Sequence, residues 1–225
     1  MNFLGKASPL LLAMLFAATL TVPGIATASQ VYVQPTDYGF SYASQNDTSV
    51  GGYGNFATAY DDFTLGSTAN ITSVDWIGSY FNPPPPTGTI TAWTVSFYSD
   101  AAGQPSASPL WSSHISGNGS ETFLQNDSSG DPTYSYAENV NFTANGGTKY
   151  WLSVVPDMAF PPQWGWETGT GGDGVSWQVY LGTGGQNPND LAFTLNANAV
   201  PEPGTLLLMA TSVLGLAGSI RRKRF

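Results

Sequence analysis

Between Ser29 and Ala199 no stretch of the chain keeps apolar residues at helical spacing for even three turns, and what recurs instead is alternation. Trp93, Val95 and Phe97 alternate with Thr94, Ser96 and Tyr98. Tyr150, Leu152 and Val154 alternate with Lys149, Trp151 and Ser153. Val175, Trp177, Val179 and Leu181 alternate with Ser176, Gln178 and Tyr180, and Leu191, Phe193 and Leu195 close the series. Successive side chains of a strand point to opposite faces, so each set makes one apolar and one wetter face. Weaker strand patterns run over Thr58–Leu65, Ile71–Phe81, Pro109–Ile115, Tyr134–Phe142 and Gln163–Thr168. Turn-forming clusters separate them: Asn82 with Pro83 to Pro86, Asp100 to Gly103, Gly117 to Gly119, Ser128 to Pro132, Asn145-Gly146-Gly147, and Gly182 to Asn189. The Asn-Gly-Gly turn reads as a hairpin between strands ending near Phe142 and starting near Thr148. About ten short strands at this spacing predict an all-β fold, an antiparallel β-sandwich of jelly-roll type, with a barrel as the alternative.

The two ends of the chain differ from its middle. Lys6, an apolar run from Pro9 to Val22, and Ala26-Thr27-Ala28 before Ser29 make up a signal peptide over residues 1–28, with cleavage after Ala28. Near the other end, Val200-Pro201-Glu202-Pro203 precedes an uncharged apolar run from Gly204 to Ile220 and then Arg221-Arg222-Lys223-Arg224. Two prolines stop any preceding strand. The 17 residues of the run, as a transmembrane helix, span roughly 25 Å against a hydrocarbon core of about 30 Å. The basic cluster holds the far end on the cytoplasmic side.

Removing both ends leaves about 172 residues, enough for one domain with its own core, the ectodomain 29–199. Fourteen carboxylates face a single base there, Lys149, for a net charge near −13. Such a field repels nucleic acid and anionic lipid and attracts cations. The chain has no cysteine. Stability in an exported setting must therefore come from packing, and thiol nucleophiles and thiolate metal sites are excluded.

The order of Val200-Pro201-Glu202-Pro203, short apolar helix and terminal cations resembles the PEP-CTERM sorting signal of exported proteins in Gram-negative bacteria. The resemblance covers residues 200–225 and implies that the chain is the substrate of an exosortase, a membrane-embedded enzyme that cuts near the Pro-Glu-Pro sequence and releases or transfers the ectodomain. It implies transient anchoring in the inner membrane and a final location on the cell surface or in the extracellular matrix. The ectodomain is similar, loosely, to the uncharacterised β-rich domains that accompany this tail.

Catalytic signals are weak. His114 is the single histidine, and neither a Gly-x-Ser-x-Gly elbow nor a His-x-x-x-His pair occurs. Glu121, Glu138 and Glu167 leave a glycosidase as an alternative on composition, without a paired setting. The expectation is a protein that is not an enzyme. Carboxylates in turn sequences, Asp127 and Asp131 in one loop and Asp173 between glycines, are candidate calcium ligands, since calcium takes carboxylate and carbonyl oxygens. Trp76, Trp93 and Trp177 belong to apolar faces. Trp151 has the parity opposite to its apolar neighbours, and Trp164-Gly165-Trp166-Glu167 sets two indoles on one face beside a carboxylate. Trp164, Trp166 and Trp151 are thus candidates for stacking on the sugar rings of an exopolysaccharide. A purely structural matrix component is the alternative. Thr87-Gly-Thr89-Ile-Thr91 is too short for the flat threonine array of an ice-binding surface.

Overall fold

The computed structural model describes residues 29–82 and 89–199. The signal sequence, the Pro83–Pro86 run and the sorting tail with its expected helix lie outside the described residues. No helix among the described residues is long and apolar enough to cross a membrane.

Among the described residues fifteen strands form two sheets packed face to face. The eight-stranded sheet holds β1 (Ser29–Gln34), β2 (Thr36–Ala43), β5 (Ala69–Phe81), β8 (Thr122–Asn126), β9 (Pro132–Ala144), β11 (Gln163–Gly169), β14 (Asp190–Leu191) and β15 (Phe193–Ala199). Its centre is β5, with β9 along one side and β15 and β11 sharing the other. The seven-stranded sheet runs β13 (Thr183–Asn187), β12 (Ser176–Tyr180), β4 (Gly54–Thr64), β3 (Gln45–Asp47), β10 (Lys149–Met158), β6 (Ala92–Ser99) and β7 (Trp111–Ser116), and β4 also pairs β10 directly. The all-β sandwich expected from the alternation is what forms. Pairing is antiparallel throughout except for a short parallel contact between β3 and β10.

Alternation fixes which side chains meet between the sheets. Ala59 and Phe63 of β4, Trp93, Val95 and Phe97 of β6, and Tyr150, Leu152 and Val154 of β10 face Ile71, Val74 and Trp76 of β5 and Leu195 of β15. An aromatic knot lies at the middle: the Trp93 ring is 4.8 Å from that of Trp76, 4.9 Å from Tyr136 and 5.0 Å from Trp164, all edge to face. Gly78 makes room for it, since a Cβ there would collide with the Trp164 indole.

The Asn145-Gly146-Gly147 turn is not a hairpin. It carries the chain from β9 in one sheet to β10 in the other, and those strands do not pair. The turn packs on the β4–β5 connection, which also crosses between sheets. Gly147 N donates to Leu65 O at 2.8 Å and Gly146 N to Thr68 Oγ1 at 3.1 Å. A Cβ on Gly146 would lie 2.7 Å from Ser67 Cα, so glycine lets the two arches touch. The apolar pattern expected as one strand over Leu191–Leu195 is broken at Ala192, whose carbonyl accepts Trp166 Nε1 at 2.8 Å and Ile77 N at 3.3 Å.

Candidate functional site

A polar groove crosses the solvent face of the seven-stranded sheet. It is built from the residues that alternate with the core set. Tyr60, Ser153, Ser96 and Ser112 stand opposite one another on β4, β10, β6 and β7. Thr94 stands beside Val155 in the neighbouring row. The groove encloses about 210 Å³ and its rim is completed by Asn46, Asn55, Thr58, Tyr98 and Asp157. Tyr60 and Tyr98 form one wall, ring centroids 5.3 Å apart at 76°. Burial, with Tyr98 beside it, pushes the Tyr60 hydroxyl up to about 12, so it stays a neutral donor at any physiological pH. At the other end Asn46 Nδ2 donates to Asp157 Oδ1 at 2.8 Å, while Asp157 Oδ2 lies 2.9 Å from His114 Nε2. Among the described residues Asp157 is the sole carboxylate of the lining. Sequence reasoning missed this face; the wetter half of the Ala92–Ser99 alternation, Thr94, Ser96 and Tyr98, is the signal that could have found it.

The three tryptophans expected to form a sugar platform do not. Trp164 and Trp166 share a face, but it is the inner one, and both are fully buried. Their donors are used inside: Trp164 Nε1 to Tyr136 Oη at 3.1 Å, and Trp166 Nε1 to Ala192 O. Trp151 does lie on the face away from the core, opposite Asp62 and Tyr98, yet it is 1% exposed. Its Nε1 donates to Asp100 Oδ1 at 2.9 Å and the Lys149 ammonium sits 5.2 Å from its ring centre. An indole covered by a lysine stem and a loop carboxylate is closed to a ligand. Trp177, expected in the core, is half-buried on β12.

The calcium set is also revised. Asp173 Oδ2 takes Lys149 Nζ at 3.1 Å, and Asp62 Oδ2 lies 2.7 Å from the same ammonium, so the cation at Asp173 is the lysine. Burial outweighs that lysine and pushes Asp62 up to about 6. Asp127 folds back on its own loop, Oδ1 accepting Ser129 N at 2.8 Å and Asp131 N at 2.9 Å. Among the described residues no group of three Asp, Glu or His side chains is placed to hold a metal ion. Asp127, Asp131 and Asp173 therefore do not make one ligand set.

Glu167 is the most perturbed carboxyl near that loop. It alternates with Trp166 and stands opposite Ser41 of β2, where the Asp127–Asp131 loop crosses: Ser128 N donates to Tyr38 O at 2.8 Å. Glu167 is fully buried and, among the described residues, neither oxygen has a hydrogen-bond partner; the neighbouring Ser79 and Ser41 hydroxyls bond each other at 2.6 Å. Burial first, then Asp127, Asp37 and Asp131, push its carboxyl up to about 8. Glu121 lies elsewhere, its Oε2 accepting the hydroxyls of Tyr80 and of Tyr136, the latter at 3.0 Å. Glu138 stands opposite Val74 on β9.

A two-sheet β-sandwich joined to a proline-flanked C-terminal tail defines an exported, sorted ectodomain protein. Residues 29–196 match the domain of unknown function DUF7901, and the chain belongs to that family. Residues 199–223 match the PEP-CTERM protein-sorting motif. The tail makes the chain a substrate of an exosortase and directs it by export to the cell surface or extracellular space. No curated protein matches the chain.

Proposed function

We propose that this is a non-catalytic matrix protein whose sandwich binds exopolysaccharide along the groove on its seven-stranded sheet, after anchoring in the inner membrane through residues 204–220 until the exosortase acts. The observation that carries the reading is the groove lining. Hydroxyls and amides from Asn46, Asn55, Thr58, Tyr60, Thr94 and Ser96 offer neutral donors and acceptors, and the Tyr60–Tyr98 wall offers aromatic faces for sugar C–H bonds. A sugar polymer presents both kinds of surface. The net charge near −13 favours a neutral polymer over an anionic one. The non-catalytic part of the reading is supported by the settings of Glu121, bonded to two tyrosine hydroxyls, Glu138, opposite Val74 on β9, and Glu167, buried opposite Ser41 on β11, which lie in separate places instead of forming a pair across a cleft.

The test is retention of the exported protein on exopolysaccharide isolated from its host. Stacking on an aromatic face is worth on the order of 1 kcal/mol, so Tyr60→Ala and Tyr98→Ala should each weaken retention several-fold while the melting curve keeps its shape. Wild-type retention by the double variant would leave a structural matrix component with no specific ligand.

A further inference from the structure

β13 is a strand edge left open. Among the described residues it pairs β12 and no other strand, at one end of the seven-stranded sheet, and Thr183, Gly184, Gly185 and Gln186 are all exposed. An open edge shows a row of unpaired N–H and C=O groups, and soluble domains blunt it with a charge, a proline, a bulge or a very short strand. The other edges of this sandwich are blunted in these ways. β1 shifts register between Gln30 and Tyr32, and β8 between Phe123 and Asn126. β2 and β14 carry Asp37 and Asp190, and β7 carries His114 against Asp157. β13 has none of them. Its pairing with β12 runs over five residues without a shift, and no charged residue occurs from Gly174 to Asn189.

The direction of the free groups follows from the turn. Leu181 and Gly182, with φ of 48° and 79°, form a two-residue turn of type I′, which closes on Tyr180 and Thr183 as a hydrogen-bonded pair. Bonded and non-bonded pairs alternate along an antiparallel ladder. Gln178 with Gly185 and Ser176 with Asn187 are therefore bonded as well, and the N–H and C=O groups of Gly184 and Gln186 point away from β12.

We propose that β13 is a self-association surface, pairing antiparallel with β13 of a second copy about a two-fold axis at Gly185 and joining two seven-stranded sheets into one. In that register Gly184 faces the second copy's Gln186 and Gln186 faces its Gly184, which makes about four main-chain hydrogen bonds. The two Gly185 residues then stand opposite each other as a non-bonded pair, Cα atoms about 4.5 Å apart. Charge selects the occupant. Two ectodomains near −13 repel wherever their carboxylates meet, and this uncharged hairpin lets two copies join with no like charges opposed. An edge contact of this kind falls below the roughly 1,000 Å² of a stable interface, so the dimer is weak and forms where the protein is crowded.

Sedimentation equilibrium of the exported protein, from micromolar to near-millimolar concentration, should show a monomer–dimer equilibrium that tightens as sodium chloride is raised, since screening relieves the repulsion. Gly185 has no left-handed φ and a Cβ there meets open space. Gly185→Lys and Gly185→Asp should therefore melt as the wild type does, yet each sets like charges opposite one another at the axis and should weaken dimerisation several-fold. The chain has no cysteine, so an introduced one reports its own contact alone. Gly185→Cys should be captured as a disulfide dimer under mild oxidation, because the paired Cα atoms lie within disulfide reach. Gln186→Cys, whose two copies would lie about 8 Å apart, should stay monomeric. Equal capture of the two cysteine variants, a monomer at every concentration, or wild-type dimerisation in Gly185→Lys and Gly185→Asp would each overturn the proposal.

Discussion

Trp164 Nε1 donates a hydrogen bond to Tyr136 Oη at 3.1 Å, with Trp93 edge-on to both rings at 5.0 and 4.9 Å. Tyr136 in turn donates to Glu121, so one line of hydrogen bonds runs from the centre of the core to a carboxylate near the surface. Trp164 is thereby a packing residue. Trp164→Ala should cost about 3–5 kcal/mol, the range for deleting a buried large aromatic side chain. Denaturant unfolding checks this; a variant as stable as the wild type would contradict the placement.

Glu167 gives the fold a pH dependence of known sign. Its folded value, about 8, lies above its ordinary 4.5, so the folded state holds a proton that the unfolded chain has lost. The contribution is fully present below pH 4.5 and is lost as pH rises through about 8. Stability should decline across that window with a slope approaching 1.4 kcal/mol per pH unit for this one group. Asp62, raised to about 6, adds to the decline at the lower end. Glu167→Gln keeps the shape of the protonated carboxyl and should flatten the profile, with a higher Tm than wild type at pH 8. An unchanged slope would place the titrating group elsewhere.

Lys149 should matter more than a surface lysine ordinarily does. It is the sole base of the ectodomain and touches Asp62, Asp173 and the Trp151 ring. Lys149→Met should lower Tm above pH 6, where Asp62 is charged and loses its partner. Adding Asp62→Asn should recover part of the loss. Additive effects in that double-mutant cycle would deny the coupling.

Calcium should act by screening alone. With Asp173 held by Lys149 and Asp127 by its own loop amides, millimolar calcium and sodium chloride of equal ionic strength should raise Tm by the same amount. A larger shift with calcium, removed by Asp131→Asn, would restore a coordinated ion.

Processing at both ends is checked by intact mass. Material from the native host should begin at Ser29 and lack Arg221 to Phe225. A full-length mass would rule it out.

Much of this architecture can be read from alternation, and the misses have common physical causes. β6 and β10 each turn one apolar face to the core, so parity alone placed Trp93, Leu152 and Val154 there, although most of β10 is buried on its other face too. β11 is buried on both faces, with Trp164 and Trp166 on one side and Gly165 and Glu167 on the other. Period two then identifies which residues share a face but not which face is wet. Trp151 was placed on the correct side, and its cover comes from Asp100, about fifty residues away, which no local pattern reports. Asn145-Gly146-Gly147 satisfies a hairpin and an arch equally, because the choice is made by the partners of β9 and β10. The groove has that origin: Tyr60 meets Tyr98 only through long-range pairing.

β15 runs between β1 and β5, with Ala197 opposite Ser29 on one side and Ile71 on the other, and it leads directly into the sorting tail. If the exosortase transfers the ectodomain to a surface by its new C-terminal end, tension on the protein enters through Ala199 along the axis of β15. The strand cannot peel off one hydrogen bond at a time; it has to slide against two neighbours at once, breaking both rows together. The chain thus leaves the fold from a strand held on both sides, which is how a strand resists load along its own axis.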